Sequence, residues 1–348
     1  MSGLLGWDIG GVNTKAARVA GAAAGRGRVL AVRAAPYEVQ RDPAALAPLL
    51  ARLAAELDAG PGDAHGVTMT AELSQLFRTK RDGVGFVLDA VAAAFPHAEV
   101  RVWSVDGRWR TPDEARRDPL AVAAANWAAT ARLVSRSVRD CLLIDTGSTT
   151  TDIIPIVGGE PAAAGRTDLE RLREGELVYS GALRTPIEAI ATSVPVGGRP
   201  TGVSAEGFAL AGDVYLWRGQ LDPVDYAVPT PDGRPATREF AGERLARVVC
   251  ADRELLDAAA TGAIADALWE AQVTRIRGAV DRVRARHPAL EQAVVTGLGD
   301  FLATEAARRA GLEVTHLAGL LGPAARHAPA AAVALLLAAE RAAEALPS

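Results

Sequence analysis

Two copies of one strand–turn–strand pattern constrain the fold of this chain more than any other feature of its sequence. In the first copy, LLGWDIGGVNTKAARV, an apolar run ends at Asp8, and small residues lead to Lys15 and a second apolar run. In the second copy, CLLIDTGSTTTDIIPIVGG, an apolar run ends at Asp145, and small polar residues lead to Asp152 and another apolar run. Chance rarely repeats both the chemistry and the periodicity of such a unit, so we infer an internal duplication.

The two turns are built from small residues that suit the binding of a phosphate group. Glycine allows a tight turn and close approach of a ligand, and successive N–H groups in such a turn form a nest for an anion. Lys15 adds a compact positive charge beside the first turn. We interpret the following residues as anion-binding: Gly10, Gly11 and Asn13 in the first turn, and Gly147, Ser148, Thr149 and Thr150 in the second.

The aspartates at the strand ends are candidate metal ligands. Mg²⁺ prefers oxygen ligands and keeps several of its own waters. Asp8 and Asp145 are therefore predicted to hold Mg²⁺ through water, next to a bound diphosphate. The five histidines show no ligand spacing, so we predict no zinc site.

A single D-x-G-G turn is weak support for a phosphate site, because most such strings are ordinary hairpin turns. The second copy, together with a later turn that contains Gly297 and Gly299, favours phosphate binding. The chain contains no G-x-x-x-x-G-K-[ST], which argues against a P-loop protein. No G-x-G-x-x-G follows the first strand, so the NAD-type fingerprint is absent as well.

Length and composition indicate a soluble protein of two domains. The chain has 348 residues, of which 49% are hydrophobic and 23% charged. Its formal net charge of -4 argues against a nucleic-acid partner, which usually needs a basic face. Cys141 and Cys250 are flanked by apolar residues and are expected to be buried, reduced thiols.

The chain ends are not expected to contact a membrane. No basic segment followed by a long apolar run is visible at the N-terminus, so no signal peptide is expected. The C-terminal stretch PAAAVALLLAAERAAEAL is interpreted as a packed helix that is too short and too weakly hydrophobic to span a bilayer. We expect a cytoplasmic protein.

Periodicity and end signals predict alternating strands and helices. Strands are predicted at 4–9, 15–19 and 28–37, and helices at 84–94, 241–259 and 261–286. Thr111, Pro112 and Glu114 form a helix-start signal with a cap, a first-position proline and a capping-box acid. Residues 166–240 are rich in glycine and proline and are predicted to form an irregular insertion.

The three glycine turns resemble motifs of the actin, heat-shock chaperone and sugar-kinase superfamily. LLGWDIGGVNTK resembles the first phosphate motif, LIDTGSTTTDI the second, and VVTGLGDFLATEAARRAG the adenosine-type motif. The resemblance covers the whole length. It implies two duplicated, ribonuclease H-like α/β domains with mixed sheets around an interdomain cleft, at residues 1–138 and 139–348. It also implies a nucleotide-type role for Gly297 and Gly299.

A narrower resemblance involves five stretches: GWDIGGVNTKAA, GVTMTAELSQLF, AAANWAATA, LIDTGSTTTDIIPI and GDVYLWRG. Together they resemble hydantoinase A-related proteins of the tetrahydromethanopterin-linked one-carbon pathway, and within that group the furanyl-methanamine synthases of methanofuran and methylofuran biosynthesis. This resemblance implies that an aminomethyl-furfuryl diphosphate alkylates the phenol oxygen of a tyramine- or tyrosine-type acceptor. Diphosphate is released, and ATP is not consumed.

That reaction gives the candidate residues their expected roles. Lys15 and the first turn would bind one end of the diphosphate, and residues 147–150 the other end. A phenol has a pKa of about 10, so its proton must be accepted by a base or leave late in the reaction. Asp152 and Glu72 are the candidate bases. Thr70 and Lys80 lie in the same motif as Glu72 and are open to either a site role or a solvent-exposed role.

Some aromatic and acidic residues leave two interpretations open. Trp103 and Trp127 are better explained as core residues than as rings that stack on substrate, because tryptophan buries a large apolar area. Asp213 and Tyr215 fit a structural turn and an acceptor site equally well.

Two other functions stay open on the sequence alone. An ATP-dependent kinase, or a hydantoinase/oxoprolinase-type ATPase subunit, is supported by the Gly297–Gly299 turn. A nucleotide-regulated interaction protein would need a filament-forming or peptide-binding extension, which is not evident. The acceptor, which is open to glutamylation, and the oligomeric state, for which a homodimer is one option, are not fixed by the sequence.

Overall fold

The computed structural model describes residues 3–20 and 27–344. Within these residues lie fourteen β-strands, in chain order: β1 (Leu4–Ile9), β2 (Asn13–Val19), β3 (Val29–Pro36), β4 (Ala64–Met69), β5 (Val100–Trp103), β6 (Trp109–Arg110), β7 (Cys141–Thr146), β8 (Thr151–Val157), β9 (Glu160–Pro161), β10 (Leu177–Val178), β11 (Ser193–Val196), β12 (Arg199–Gly202), β13 (Gln292–Thr296) and β14 (Glu313–His316).

The same residues contain eleven α-helices: α1 (Leu46–Glu56), α2 (Lys80–Ala94), α3 (Pro112–Arg117), α4 (Asn126–Ser135), α5 (Asp168–Glu174), α6 (Ala211–Arg218), α7 (Arg238–Arg247), α8 (Ala258–Arg286), α9 (Asp300–Arg309), α10 (Ala318–Leu321) and α11 (Ala328–Glu344). The predicted start of α3 is confirmed, since Thr111 accepts from the backbone of Glu114 and Glu114 caps Thr111 in return.

The contacts divide the chain into two compact units. Unit 1 comprises the described residues within Met1–Asp140, Ile156–Arg171 and Leu317–Ser348, and unit 2 comprises Cys141–Pro155 and Leu172–His316. The first change of unit lies two residues beyond the sequence-predicted boundary at 138. The predicted second domain, 139–348, is not one continuous segment in these contacts, because two of its parts pack with unit 1.

Unit 1 is built on a six-stranded mixed sheet with the order β3-β2-β1-β4-β5-β6. β1 is antiparallel to β2 and parallel to β4, and β4 is parallel to β5. The two faces of β1 pack into different hydrophobic clusters. Leu5, Trp7 and Ile9 lie in the cluster that includes α1 and α2. Leu4 lies in the cluster that includes α11. This alternation is the period expected of a strand covered on both faces.

Gly6 allows α11 to lie directly on β1. A Cβ atom on Gly6 would lie 2.1 Å from the carbonyl oxygen of Ala330 and 2.5 Å from the backbone nitrogen of Ala334. Only glycine fits at such a distance between two backbones.

Gly6→Ala is therefore expected to lower the free energy of unfolding by about 2 kcal/mol, the usual cost of forcing an extra methyl group into a packed core. Urea denaturation followed by circular dichroism measures the change. Gly62→Ala is the matched control, because nothing lies within 4 Å of a Cβ atom at that position. Equal stability of the two variants would contradict the close contact between Gly6 of β1 and the backbone of α11.

The C-terminal helix corrects one sequence-based argument. Residues Ala318–Glu344 form a 27-residue helical stretch that is long and apolar enough to cross a membrane by length and composition. The prediction that this region is too short and too weakly hydrophobic is therefore wrong. Its most apolar window is 61% buried, and Ala330, Ala331 and Ala334 belong to a core cluster with β1 and β2. Such burial is typical of a core helix in a soluble fold.

Unit 2 repeats the arrangement of unit 1 on a sheet with the order β10-β8-β7-β13-β14. β7, which carries Asp145, lies between β8 and β13, as β1 lies between β2 and β4. β13 is parallel to both β7 and β14. The internal duplication inferred from the two turn motifs is thus present in the strand order of the two sheets.

The predicted irregular insertion, residues 166–240, contributes to the core of unit 2. It contains α5, α6, a β11–β12 hairpin and short 3₁₀ turns. Leu183, Ile187, Tyr215 and Trp217 lie in the large buried cluster of this unit. The glycine and proline content therefore marks sharp turns between short packed elements.

Asp213 and Tyr215 of this insertion, whose roles the sequence left open, both make structural contacts. Asp213 is fully buried and forms an ion pair with Arg244 at 2.8 Å. Burial raises the pKa of the Asp213 carboxyl, and the Arg244 contact lowers it. The Tyr215 hydroxyl donates to the side chain of Gln272 within the core. Both side chains stabilise unit 2 internally.

The end of α7 corrects a second prediction. A helix was expected over 241–259, but α7 ends at Arg247, and Cys250 follows in a turn with a φ of 57°. Cys141 is buried as predicted, whereas Cys250 is exposed. The apolar neighbours of Cys250 indicated burial but did not reveal the turn that directs its side chain outward.

Candidate active site

The first turn joins β1 to β2 and brings a carboxylate and an ammonium group together. Asp8 and Lys15 are cross-strand partners in the register of β1 and β2. The Lys15 Nζ atom lies 3.1 Å from Asp8 Oδ2, and the Asp8 side chain is only 6% exposed. Asp8 Oδ1 is buried and has no hydrogen-bond partner within the described parts of the chain. Gly10 closes the turn by donating from its N–H to the Asn13 carbonyl at 3.0 Å.

The end of β4 lies against this turn. The Thr70 N–H donates to the Ile9 carbonyl at 2.9 Å. A Cβ atom on Gly10 would lie 3.4 Å from Thr70 Oγ1, and one on Gly11 would lie 3.8 Å from Ala71 Cα. Because β1 and β4 are parallel, their C-terminal ends meet at one edge of the sheet. The segment that carries Glu72 is therefore placed beside the first turn.

Glu72 is buried, and no side chain among the described residues donates to its carboxylate. It is 1% exposed, and neither of its oxygens has a partner of normal geometry in residues 3–20 and 27–344. Burial raises the pKa of Glu72 to about 7. The charge of Lys80 and the nearby backbone N–H groups of Glu72 and Ala124 lower this pKa, while the charge of Asp168 raises it. A carboxylate that titrates near neutral pH is suited to proton transfer.

Lys80 and Asp168 form an ion pair in the same unit. Their side chains approach to 2.8 Å and are 23% and 18% exposed. Lys80 is the first residue of α2, whose start is fixed by a capping box between Thr79 and Asp82. Asp168 is the first residue of α5. Sequence reasoning missed Asp168, because no motif connects it with a lysine 88 positions earlier.

The second turn closes in the same way as the first. The Gly147 N–H donates to the Thr150 carbonyl at 2.9 Å. A following loop packs on it: the Ala182 N–H donates to the Gly147 carbonyl at 2.9 Å, and a Cβ atom on Gly181 would lie 2.5 Å from the Thr149 nitrogen. Gly181 was not singled out from the sequence, although its backbone is packed as closely as that of Gly10 and more closely than those of Gly11 and Gly147.

A buried network supports this loop from behind. Gln272 donates to the Ser180 hydroxyl at 2.9 Å and to the Gly181 carbonyl at 2.8 Å. The Thr151 hydroxyl donates to the Ser180 carbonyl at 2.8 Å. These contacts hold the loop on the second turn and reduce its freedom to move.

Gly297 and Gly299 pack on the end of β7. Gly297 has a φ of 97°, and a Cβ atom there would lie 2.3 Å from the Thr146 carbonyl oxygen and 2.5 Å from Asp145 Oδ1. The Gly299 N–H donates to the Thr146 carbonyl at 2.8 Å. Close packing and a left-handed backbone account for Gly297, and close packing on Thr146 accounts for Gly299, so a nucleotide is not needed to explain either glycine.

The remaining acidic candidates lie on the strands of unit 2. Asp145 is partly exposed near the end of β7, opposite Thr296 of β13. Asp152 lies inside β8, opposite Leu177, and is 8% exposed. Across the described residues, no group of three or more His, Cys, Asp or Glu side chains could hold a metal ion. A cation held through water by one carboxylate is compatible with this, and the unpartnered, buried Asp8 Oδ1 fits such a contact.

The candidate residues are thus distributed over both units. Unit 1 contains Asp8, Gly10, Gly11, Asn13, Lys15 and Glu72, and unit 2 contains Asp145, Gly147, Ser148, Thr149, Thr150, Asp152, Gly297 and Gly299. Trp103 and Trp127 are 3% and 4% exposed, which supports a core role for both. The binding and catalytic roles of the candidates stay predictions.

Two curated proteins are similar to this chain, and both are named (4-{4-[2-(gamma-L-glutamylamino)ethyl]phenoxymethyl}furan-2-yl)methanamine synthase. The protein from Methanocaldococcus jannaschii is 36% identical over 304 residues, which cover 87% of this chain and 88% of the relative. The protein from Methanococcus vannielii is 38% identical over 177 residues, which cover 51% of this chain and 79% of the relative. This chain is therefore related to biosynthetic enzymes.

Solved structures support the predicted fold class. A nucleotide-free acetone carboxylase aligns with a TM-score of 0.52 at 12% identity, over 97% of this chain and 70% of that chain. The PilM-PilN type IV pilus biogenesis complex aligns with a TM-score of 0.50 at 13% identity, over 97% of this chain and 98% of that chain. Similarity at this level shows the fold alone, an actin-like α/β fold with mixed sheets, and confirms the fold prediction.

The family assignment follows from the sequence. Residues 63–340 match the sequence profile of a family described as Hydantoinase/oxoprolinase. This match begins after the first turn, but the Methanocaldococcus jannaschii relative covers 87% of the chain. The chain therefore belongs to the hydantoinase/oxoprolinase family, and its similarity to the two furanyl-methanamine synthases confirms the resemblance found in its motifs.

Proposed function

We propose that this protein is a transferase that joins an aminomethyl-furfuryl group to the phenol oxygen of a tyramine-type acceptor and releases diphosphate. The relatives' name describes a phenoxymethyl-furan that carries a γ-glutamylaminoethyl group. That product contains an ether between a phenol oxygen and a furfuryl carbon, so a glutamylated tyramine is the acceptor that we favour. The observation that supports this most is the buried Glu72, which receives no side-chain hydrogen bond within the described residues, beside a turn that carries Asp8 and Lys15.

The proposed reaction balances without ATP or a redox partner. The bond between the furfuryl CH₂ and a diphosphate oxygen breaks, and the electron pair leaves with diphosphate. The phenol oxygen forms the new bond to CH₂ and loses its proton. The furan ring stabilises positive charge on the CH₂ group, so bond breaking can run ahead of attack. The protein must then stabilise the leaving anion, position the phenol and accept the proton.

The first turn is suited to the leaving diphosphate. Lys15 supplies a positive charge, and the backbone N–H groups of residues 10–13 supply donors of the kind that bind anions. Mg²⁺, when bound near Asp8 through water, would neutralise part of the diphosphate charge. Lys15 is 30% exposed, so its ammonium group can exchange part of its contact with Asp8 for a phosphate oxygen.

Glu72 is the base that we favour for the phenol proton. Its pKa of about 7 leaves a large fraction ionised at neutral pH, and no side chain among the described residues competes for its oxygens. Its position beside the first turn places it close to the proposed diphosphate. Asp152, the other candidate, is held within β8 of unit 2 and stays a second prediction.

Phosphate binding by the second turn and nucleotide binding by the Gly297–Gly299 turn both stay predictions. If the second turn binds a phosphate group, Gly297→Ala should weaken diphosphate binding, because an added Cβ would displace Thr146 or Asp145. If the Gly297–Gly299 turn binds a nucleotide instead, the alternative function applies, that of an ATP-dependent kinase or a hydantoinase/oxoprolinase-type ATPase subunit.

Incubation of the purified protein with Mg²⁺ separates these functions. One arm contains an aminomethyl-furfuryl diphosphate and γ-glutamyl-tyramine, and the other contains ATP with the same acceptor. We expect equal amounts of diphosphate and ether product in the first arm, measured by coupled assay and mass spectrometry, and no phosphate in the second. Phosphate release that depends on ATP and acceptor, without ether formation in the first arm, would overturn the proposal.

A further inference from the structure

We propose that Lys80 and Asp168 are positioning residues that set the proton affinity of Glu72 through their ion pair. The two side chains approach to 2.8 Å, and Lys80 begins the helix whose first turn lies against the Glu72 backbone. The inference rests on the proposed function only for the role of Glu72 as the base in the reaction. The effect on Glu72 itself is independent of any reaction.

The first turn of α2 fixes Lys80 relative to Glu72. A Cβ atom on Gly83 would lie 2.5 Å from Glu72 Cα and 2.7 Å from the Glu72 carbonyl oxygen. The two backbones are therefore in direct contact, which only glycine allows at this position. The capping box of Thr79 and Asp82 fixes where the helix begins, and hence the backbone position of Lys80.

Asp168 is fixed from the opposite side of the ion pair. Arg171 is 1% exposed, and its guanidinium lies 4.4 Å from the ring centre of Trp127. Arg171 Nη1 also lies 4.0 Å from Asp168 Oδ1. A Cβ atom on Gly165 would lie 2.6 Å from the Arg171 nitrogen, so the preceding loop is packed on α5. The carboxylate of Asp168 thus lies between Lys80 and a buried arginine.

The arrangement gives Glu72 two nearby charges of opposite sign. Burial favours the protonated carboxyl, the Lys80 ammonium favours the carboxylate, and the Asp168 carboxylate opposes Lys80. The backbone N–H groups of Glu72 and Ala124 add to the effect of Lys80. Loss of either member of the ion pair should therefore move the Glu72 pKa, and the two losses should move it in opposite directions.

Stability alone is a poor explanation of this ion pair. Both side chains are partly exposed, and pairs of this kind contribute little to folding. A comparable pair joins α2 to α3, where Asp89 of α2 and Arg116 of α3 approach to 2.6 Å with larger exposure. Arg116 and Asp89 are not among the main influences on the Glu72 pKa, so loss of this pair provides the control for a purely structural effect.

Infrared difference spectra against Glu72→Gln measure the ionisation of Glu72 directly, through the stretch of its protonated carboxyl group. We expect Lys80→Met to raise the Glu72 pKa by about one pH unit and Asp168→Asn to lower it by a similar amount, as for a single charge removed near a buried group. Lys80→Arg keeps the charge and should leave the titration near that of the natural protein. Arg116→Met and Asp89→Asn should leave it unchanged.

The transferase assay adds a second readout. Glu72 must be ionised to accept a proton, so the rate rises with pH through its pKa. Lys80→Met should shift this acidic limb to higher pH, and Asp168→Asn should shift it to lower pH. If the spectra shift as expected but no variant forms the ether, the proposed function fails and the inference about Glu72 stands. If the Glu72 titration in Lys80→Met and Asp168→Asn coincides with that of the two control variants, the inference is wrong.

Discussion

Glu72→Gln is expected to lower the rate of ether formation at pH 7.5 by about 100- to 10,000-fold, the range in which a positioned general base contributes. Glutamine keeps the size of the side chain but cannot accept the phenol proton. The control is Glu254→Gln, at an exposed position outside the candidate site, which should keep the natural rate. A normal rate for Glu72→Gln would remove Glu72 from the mechanism and leave Asp152 as the remaining candidate base.

The same variant should be more stable than the natural protein at alkaline pH. The Glu72 pKa is about 7 in the folded protein and has an ordinary value of 4.5. Between these values the folded state binds more protons than the unfolded state, so stability is lost as pH rises through the window. The loss amounts to about 3 kcal/mol. Since glutamine does not ionise, Glu72→Gln should exceed the natural protein by roughly this amount at pH 8, and the advantage should disappear at pH 4.

Thermal denaturation at the two pH values measures this difference. An unchanged gap between the variant and the natural protein from pH 4 to pH 8 would show that Glu72 does not have a raised pKa. The stability measurement needs no substrate, so it tests the geometry of Glu72 separately from the reaction.

Lys15→Ala is expected to lower the rate of diphosphate release by about 100- to 1,000-fold, as for loss of one group that stabilises a developing charge. The variant should also lose inhibition by added diphosphate, because the product would bind less tightly. Arg33→Ala is the control: Arg33 lies on β3, is 46% exposed and pairs with Glu56. A Lys15→Ala protein that releases diphosphate at the control rate would show that the first turn does not bind the leaving group.

The strands on either side of the two turns could be predicted because the pattern that indicates them lies within a few neighbouring residues. Short apolar runs end at an aspartate and are followed by small residues, and β1 has the predicted bounds, Leu4–Ile9. The start of α2 was harder to place. It begins at Lys80, four residues before the predicted 84, because Gly83 and Gly85 weaken the helical pattern while the Thr79 capping box initiates the helix. Local chemistry outweighed propensity at this point.

The surroundings of Glu72 depend on contacts that the sequence does not reveal. Glu72 entered the candidate list through its motif, but its burial depends on Gly83 and on the backbone near Ala124. Asp168 reaches Lys80 from a segment that follows β8, and no periodicity connects the two positions. The same holds for Gly181, whose constraint arises only when its loop packs on the second turn.

The central claim, direct alkylation of a phenol oxygen with diphosphate as the leaving group, is tested most directly with an acceptor whose phenol oxygen is labelled with oxygen-18. Mass spectrometry of the product should find the whole label in the ether and none in the released diphosphate. Label in released phosphate or diphosphate would mean that the phenol oxygen had first been phosphorylated and then lost, which contradicts the proposed reaction.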